Sequence, residues 1–230
     1  MKIIWLGHSG FRLEIGDQIL LLDPWISGNP VFPKGREDEA TEGATAILLS
    51  HGHGDHAANA QTIAQERSIP IACIHELSIL LATDGVETIG FGKGGTLTLG
   101  DIRVSMTNAV HSSAIDFGDG APQYAGGEAG FMISGEGHTI YFSGDTDVMA
   151  DMAWLGEYYA PDIGLLCAGG HYTMDMASAS WAAKKYFNFK TVFPCHYKTF
   201  PILAQSADDM INALEGIDVK TPEVLEPVVI

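Results

Sequence analysis

Seven consecutive residues, Ser50-His51-Gly52-His53-Gly54-Asp55-His56, concentrate side chains that could do chemistry. The chain has 9 histidines in 230 residues, and three of them stand here with a carboxylate between them. Imidazole nitrogens and carboxylate oxygens are the usual ligands of a borderline-soft cation such as zinc. In an extended segment residues i and i+2 point the same way, so His51 and His53 can share one metal. Asp55 and His56 follow Gly54, where the chain can turn, and can face a second metal beside the first. A merely polar loop does not account for this density.

A dinuclear site needs further ligands, and the other candidates also follow apolar runs. His111 comes after 104–110, Asp145 after 139–143 and His196 after 191–195. Strand ends are where open sheets place their binding groups. Singly, each of these would be a turn residue or a helix cap. Together with the cluster they complete two coordination shells.

In order and rough spacing, His51-x-His53-x-Asp55-His56 followed by His111, Asp145 and His196 resembles the metallo-β-lactamase superfamily across almost the whole chain. The resemblance implies an α/β protein, a four-layer αβ/βα sandwich with metals at one edge between the sheets. It also implies roles. His51, His53 and His111 would hold one metal and Asp55, His56 and His196 the other, with Asp145 bridging. Four further stretches resemble the branch that includes ascorbate-6-phosphate lactonase-like proteins and metal-dependent hydrolases. They are Leu6-Gly7-His8-Ser9, Leu22-Asp23-Pro24, Gly169-Gly170-x-x-Thr173-Met174 and His196-Tyr197-x-Thr199-Phe200-Pro201. Cys195 departs from the apolar residue usual there and leaves open a thiol near the site.

The chemistry implied is hydrolysis by a metal-bridged hydroxide, attacking a lactone, ester, amide or phosphodiester bond of a small molecule. The cofactors would be two divalent ions, zinc first, with manganese or iron as alternatives. Asp55 would bind the second metal and orient the hydroxide. His171, in a glycine-bounded loop, is a candidate proton donor. His8, Tyr197 and Lys198 are candidate substrate contacts. Asp23 is a candidate partner that fixes a ligand tautomer. His75 and His138 read as structural. The competing functions are an iron-dependent oxidoreductase of the same fold and a non-catalytic metal sensor. Flavin-dependent relatives replace one motif histidine with a carboxylate, and His53 is not replaced.

Composition narrows the partners. Net charge is −17, with only 12 Lys and Arg. That disfavours a nucleic-acid interface and an anionic membrane surface. The expected substrate is small and not strongly anionic, or is held by the metals themselves. No apolar run approaches ~20 residues, and the N-terminal run is too short for a signal peptide. Cys73, Cys167 and Cys195 read as reduced thiols of a cytoplasmic protein. The oligomeric state is left open, a homo-oligomer included.

The elements that must position the site follow from apolar periodicity. Strands are expected at 2–6, 11–15, 18–22, 45–49, 70–74, 86–91, 96–99, 102–108, 128–134, 139–143, 162–168, 191–195 and 224–230. Helices are expected at 57–67, 75–83, 147–159, 177–187 and 204–214. Residues 25–43 and 112–127 read as loops. Hairpins mixed with helices imply two packed sheets with helices outside them. No linker divides residues 1–230, which read as one domain.

Overall fold

The computed structural model describes every residue except Thr83, Asp84 and Asp119. Its first half contains β1 (Lys2–Gly7), β2 (Gly10–Ile15), β3 (Gln18–Leu22), α1 (Glu37–Thr41), β4 (Ala46–Leu48), α2 (Gly54–Ala57), α3 (Ala60–Arg67), β5 (Ile71–Ile74), α4 (His75–Leu81) and β6 (Thr88–Phe91). The second contains β7 (Thr96–Leu99), β8 (Ile102–Asn108), β9 (Ala114–Ile115), β10 (Gln123–Tyr124), β11 (Ala129–Gly135), β12 (His138–Phe142), α5 (Met152–Tyr159), β13 (Ile163–Cys167), α6 (Met176–Tyr186), β14 (Thr191–Cys195), α7 (Asp208–Ala213), β15 (Asp218–Val219) and β16 (Pro227–Val229).

Two seven-stranded sheets result, ordered β16-β1-β2-β3-β4-β5-β6 and β15-β14-β13-β12-β11-β8-β7. In each, antiparallel hairpins lead into parallel strands that alternate with helices. The parallel strands β4, β5, β13 and β14 are buried along their whole length. Strands covered on both faces read as unbroken apolar runs, which is how these appear in the sequence. Pro194 is tolerated in β14 because β15 pairs only with Thr191 and Val192, so no ladder partner is denied its missing N–H.

The sheets meet face to face. Phe11 of β2 packs edge-on against Phe142 of β12 and Phe193 of β14, at 6.3 and 6.4 Å between ring centres. The helices α3 and α4 cover the first sheet, and α6, flanked by α5 and α7, covers the second. This is the four-layer α/β arrangement that the sequence predicts.

Several boundaries differ for identifiable reasons. The loop 25–43 contains α1, pinned by an Arg67–Asp38 ion pair and by Arg67 Nε donating to Thr41 Oγ1. The helix expected at 57–67 starts earlier and breaks. Asn59 separates α2 from α3, and its side-chain oxygen accepts from the backbone N–H groups of Ile26 and Ser27. The expected end of the next helix, Thr83, lies outside the described residues. The helix expected from 147 starts at Met152, because Asp147 N–H donates to Val110 and holds this stretch beside His111. Within 112–127 a two-stranded ribbon, β9 and β10, forms.

The three cysteines are unpaired and buried. Burial pushes the Cys73 and Cys167 thiols up to about 12 and Cys195 well above its ordinary value. None is exposed enough to act as a thiol at the surface. Native protein at pH 8.5 should therefore resist iodoacetamide at all three sites, and unfolded protein should react at all three. Native labelling of Cys195 in intact-mass measurements would contradict this burial.

The contact of α5 with α6 is equally close. A Cβ on Gly156 would lie 1.9 Å from the Tyr186 carbonyl oxygen. Gly156→Ala should destabilise the fold by about 1–3 kcal/mol through overpacking. In a chain of this size that lowers Tm by roughly 2–4 °C per kcal/mol. An unchanged melting curve would show that α5 is free to move away from α6.

Candidate metal centre

The ligand-type residues stand beyond strand ends, except Asp55 and His56, which α2 carries. Three of those ends use a left-handed backbone at a residue other than glycine: His8 after β1 (φ 53°), Asp23 after β3 (41°) and His196 after β14 (59°). Such conformations are uncommon and cluster at functional sites. The two sheets are joined here, since His196 N–H donates to the His8 carbonyl oxygen at 2.9 Å. Trp5 Nε1 donates to the same oxygen at 2.9 Å. Gly169 must be glycine, because a Cβ would lie 1.7 Å from the His196 carbonyl oxygen.

Two sets of side chains converge. His51, His53 and His111 bring one nitrogen each to within 4.8 Å of one another. His51 Nε2 and His53 Nδ1 are 3.0 Å apart. Asp55, His56 and His196 form the second set, joined by His8, also within 4.8 Å. Asp145 lies between the sets. Its Oδ2 is 3.0 Å from His196 Nε2, 3.3 Å from His56 Nε2 and 3.7 Å from His111 Nε2.

Some groups of the site are fully hydrogen-bonded and others are not. Asp23 is fully buried and fully used. It accepts from Ser50 N–H and Ser50 Oγ, and its Oδ2 is 2.7 Å from His56 Nδ1. His8 has both nitrogens engaged, Nδ1 with Thr199 Oγ1 at 2.6 Å and Nε2 with Asp55 Oδ2 at 3.0 Å. In contrast, His56 Nε2 and Asp145 Oδ1 are buried without a hydrogen-bond partner. Unpaired buried polar atoms are costly, and a cation is the partner that imidazole and carboxylate atoms together suit. The donor set therefore fits divalent metal ions.

The electrostatics differ from group to group. Burial holds His51 well below the usual imidazole range and lowers His53 and His111 as well. Those rings keep free lone pairs at neutral pH. Burial opposes charge on Asp145, yet His56 and His196 hold its carboxyl well below the usual range. Burial also opposes charge on His56, but the carboxylates of Asp145 and Asp23 raise it well above. Burial lowers His8 to about 4, outweighing its bond to Asp55. A neutral His8 donates from Nε2 to Asp55 and accepts from Thr199, a tautomer inferred from these contacts. That bond lowers the Asp55 carboxyl despite its burial.

A cavity of about 670 Å³ opens above these groups, with His53, Asp55, His111, Asp145 and His196 in its floor. The expected substrate contacts are not on its wall. His8 is fully buried beneath Asp55. Tyr197 turns away from the site and stacks on Trp5 at 5.4 Å. Lys198 follows it, its ammonium 5.9 Å from the Trp5 ring centre and 5.4 Å from that of Tyr197. His171 is exposed and stands off the wall, which its neighbour Tyr172 lines instead. The left-handed turn at His196 sets the direction of 197 and 198, and a left-handed φ of 58° does the same at His171. His138 pairs with Asp162 at 2.8 Å, the structural role its turn position predicts. Sequence reasoning missed Thr199 as the support of His8, and Tyr172 and Ile202 as cavity walls; Phe200 and Thr199 stood only as letters of a motif.

Comparison with known proteins agrees with the geometry. Residues 18–197 match the family model of a β-lactamase superfamily domain. The chain is 60% identical over 229 residues to a UPF0173 metal-dependent hydrolase of Paracoccus denitrificans, with 99% of each chain covered. It is 60% identical over 231 residues to one from Cereibacter sphaeroides, with 100% of each covered. Among solved structures it is similar to Igni18, a metallo hydrolase from the hyperthermophilic archaeon Ignicoccus hospitalis. The TM-score there is 0.87 at 32% identity, covering 99% of this chain and 97% of that one. By sequence, fold and donor set, the chain belongs to the β-lactamase superfamily and, within it, to the UPF0173 metal-dependent hydrolases.

Proposed function

We propose that the protein is a dinuclear hydrolase that cleaves a lactone, ester, amide or phosphodiester bond of a small molecule. The observation that carries this reading is the position of Asp145. One of its oxygens faces nitrogens from both ligand sets, at 3.0 Å from His196, 3.3 Å from His56 and 3.7 Å from His111. His51, His53 and His111 would hold one ion, Asp55, His56 and His196 the other, and Asp145 both. Two divalent ions, zinc by preference for this nitrogen-rich set, would polarise the substrate oxygen and bring a coordinated water to a pKa of about 7.

The chain's own residues do the rest. Asp23 fixes His56 by bonding Nδ1, which leaves Nε2 directed at the centre. His8 fixes Asp55 through Oδ2, which leaves Oδ1 to orient the attacking water. Asp55 is the carboxylate best placed for that, with its side chain 28% exposed against 2% for Asp145. The leaving group takes its proton from solvent through the open cavity, since His171 stands off the wall. Three unpaired thiols fit a reducing compartment, and we place the enzyme in the cytoplasm. No helix among the described residues is long and apolar enough to cross a membrane.

Elemental analysis of protein purified without chelator and reconstituted with zinc should give close to two ions per chain, one for each ligand set assigned above. Metal content near zero after reconstitution would sink the reading. The two carboxylates should also differ. Asp145→Ala removes a group shared by both ions and should lose more metal than Asp55→Ala, which removes a ligand of one. Equal retention in the two variants would contradict the assigned roles.

A further inference from the structure

The cavity floor is polar, but one side of its wall is not. Tyr172 and Ile202 line it and are 56% and 57% exposed. Phe200 lies between them and the floor, stacked on Trp25 at 5.8 Å and edge-on to His8 at 5.6 Å. Single exposed apolar side chains are ordinary. Three that converge on one concavity, directly above a cluster of ligand-type groups, are the usual composition of a small-molecule pocket.

The wall is held in place by the backbone. Ala204 N–H donates to the Gly169 carbonyl at 2.9 Å and Lys198 N–H to Ala204 at 2.8 Å. Gln205 Nε2 donates to the carbonyls of Phe200 and Leu203 at 2.9 and 2.8 Å. The first of these bonds fastens the loop after β14 to the loop after β13 and the others brace the loop after β14, so Ile202 and Tyr172 are presented together.

Charge supplies the other half of the inference. Among the described residues, no Lys or Arg lines the cavity. Lys198, two residues beyond His196, is spent on the Trp5 and Tyr197 rings. A phosphate or carboxylate on the substrate, away from the bond being cleaved, would meet no cation there and would enter against a net charge of −17.

We infer that the substrate is an uncharged lactone, ester or amide whose aryl or alkyl portion packs against Tyr172, Phe200 and Ile202 while its carbonyl faces the metal-ligand floor. This rests on the hydrolase reading of the same site and narrows it, setting aside substrates that carry a phosphate or carboxylate away from the cleaved bond. Specificity then comes from the length and shape of the apolar portion.

Hydroxamates test this, because the metal-binding head stays constant while the tail changes. Dissociation constants would be measured by calorimetry on zinc-reconstituted full-length protein for acetohydroxamate, butyrohydroxamate, hexanohydroxamate and succinic monohydroxamate. Affinity should rise roughly twofold to fourfold per added methylene. The succinic compound, with a charged tail of similar length, should bind more weakly than butyrohydroxamate. Ile202→Ser and Tyr172→Ala alter exposed side chains, so folding is not at stake. Both should flatten the series while leaving metal content unchanged. A flat series in the unaltered protein, or preference for the charged tail, would overturn the inference and leave the hydrolase reading standing. Failure of acetohydroxamate to bind zinc-loaded protein would overturn the metal-centre reading, and this one with it.

Discussion

The imidazole of His56 is held between two buried carboxylates, and much of the structure around the site exists to keep it there. Nδ1 is 2.7 Å from Asp23 Oδ2 and Nε2 is 3.3 Å from Asp145 Oδ2. Asp145 continues to His196 at 3.0 Å. This chain of contacts starts at the end of β3, passes through α2, and crosses to the ends of β12 and β14. It therefore ties the first sheet to the second through charged groups withdrawn from water. Removing one member of such a buried set leaves its neighbours uncompensated, which costs far more than the set contributes intact. The constraint acts on the sheets as well. Their strand ends must meet in one place, and the His196-to-His8 backbone bond fixes that meeting.

Two classes of group share this dry seam for different reasons. His51, His53 and His111 are stable there because burial keeps them neutral, and a neutral imidazole is inexpensive to bury once its other nitrogen is satisfied. Ser50 Oγ does this for His51 at 2.9 Å. Asp55 and Asp145 stay charged because imidazoles surround them. Lone pairs and negative charge thus face a common centre, which is what a divalent cation requires.

The ligand-type residues were legible because their chemistry is local. His51 and His53 need only an extended backbone to point together, and the apolar run before them gives one. The sheets were legible because buried parallel strands read as nearly unbroken apolar runs. The directions of the side chains past 196 were not legible. They depend on a left-handed φ at His196, a residue type that gives no such signal as glycine would. Tyr197 and Lys198, both expected as substrate contacts, turn instead to the Trp5 ring, Lys198 at a left-handed φ of 67°. The last helix was overestimated for a similar reason. Residues 204 and 205 look helical in composition, yet their polar groups close the loop after β14 instead. In each case a contact far away in sequence outweighed a local preference.

Overall charge and local charge act at different ranges here. The net −17 produces a field that draws divalent cations towards the protein and slows the approach of polyanions. Within the cavity that field is replaced by whatever sits on the floor. Asp55 and Asp145 contribute negative charge that two divalent ions would more than offset, leaving a site attractive to an electron-rich carbonyl oxygen. Above the floor one side of the wall is apolar and, among the described residues, it carries no Lys or Arg, so attraction falls off within the depth of the cavity. A molecule matched to this profile is polar at one end and apolar at the other. The same acidity that favours loading the centre with metal therefore also helps to choose what the centre receives.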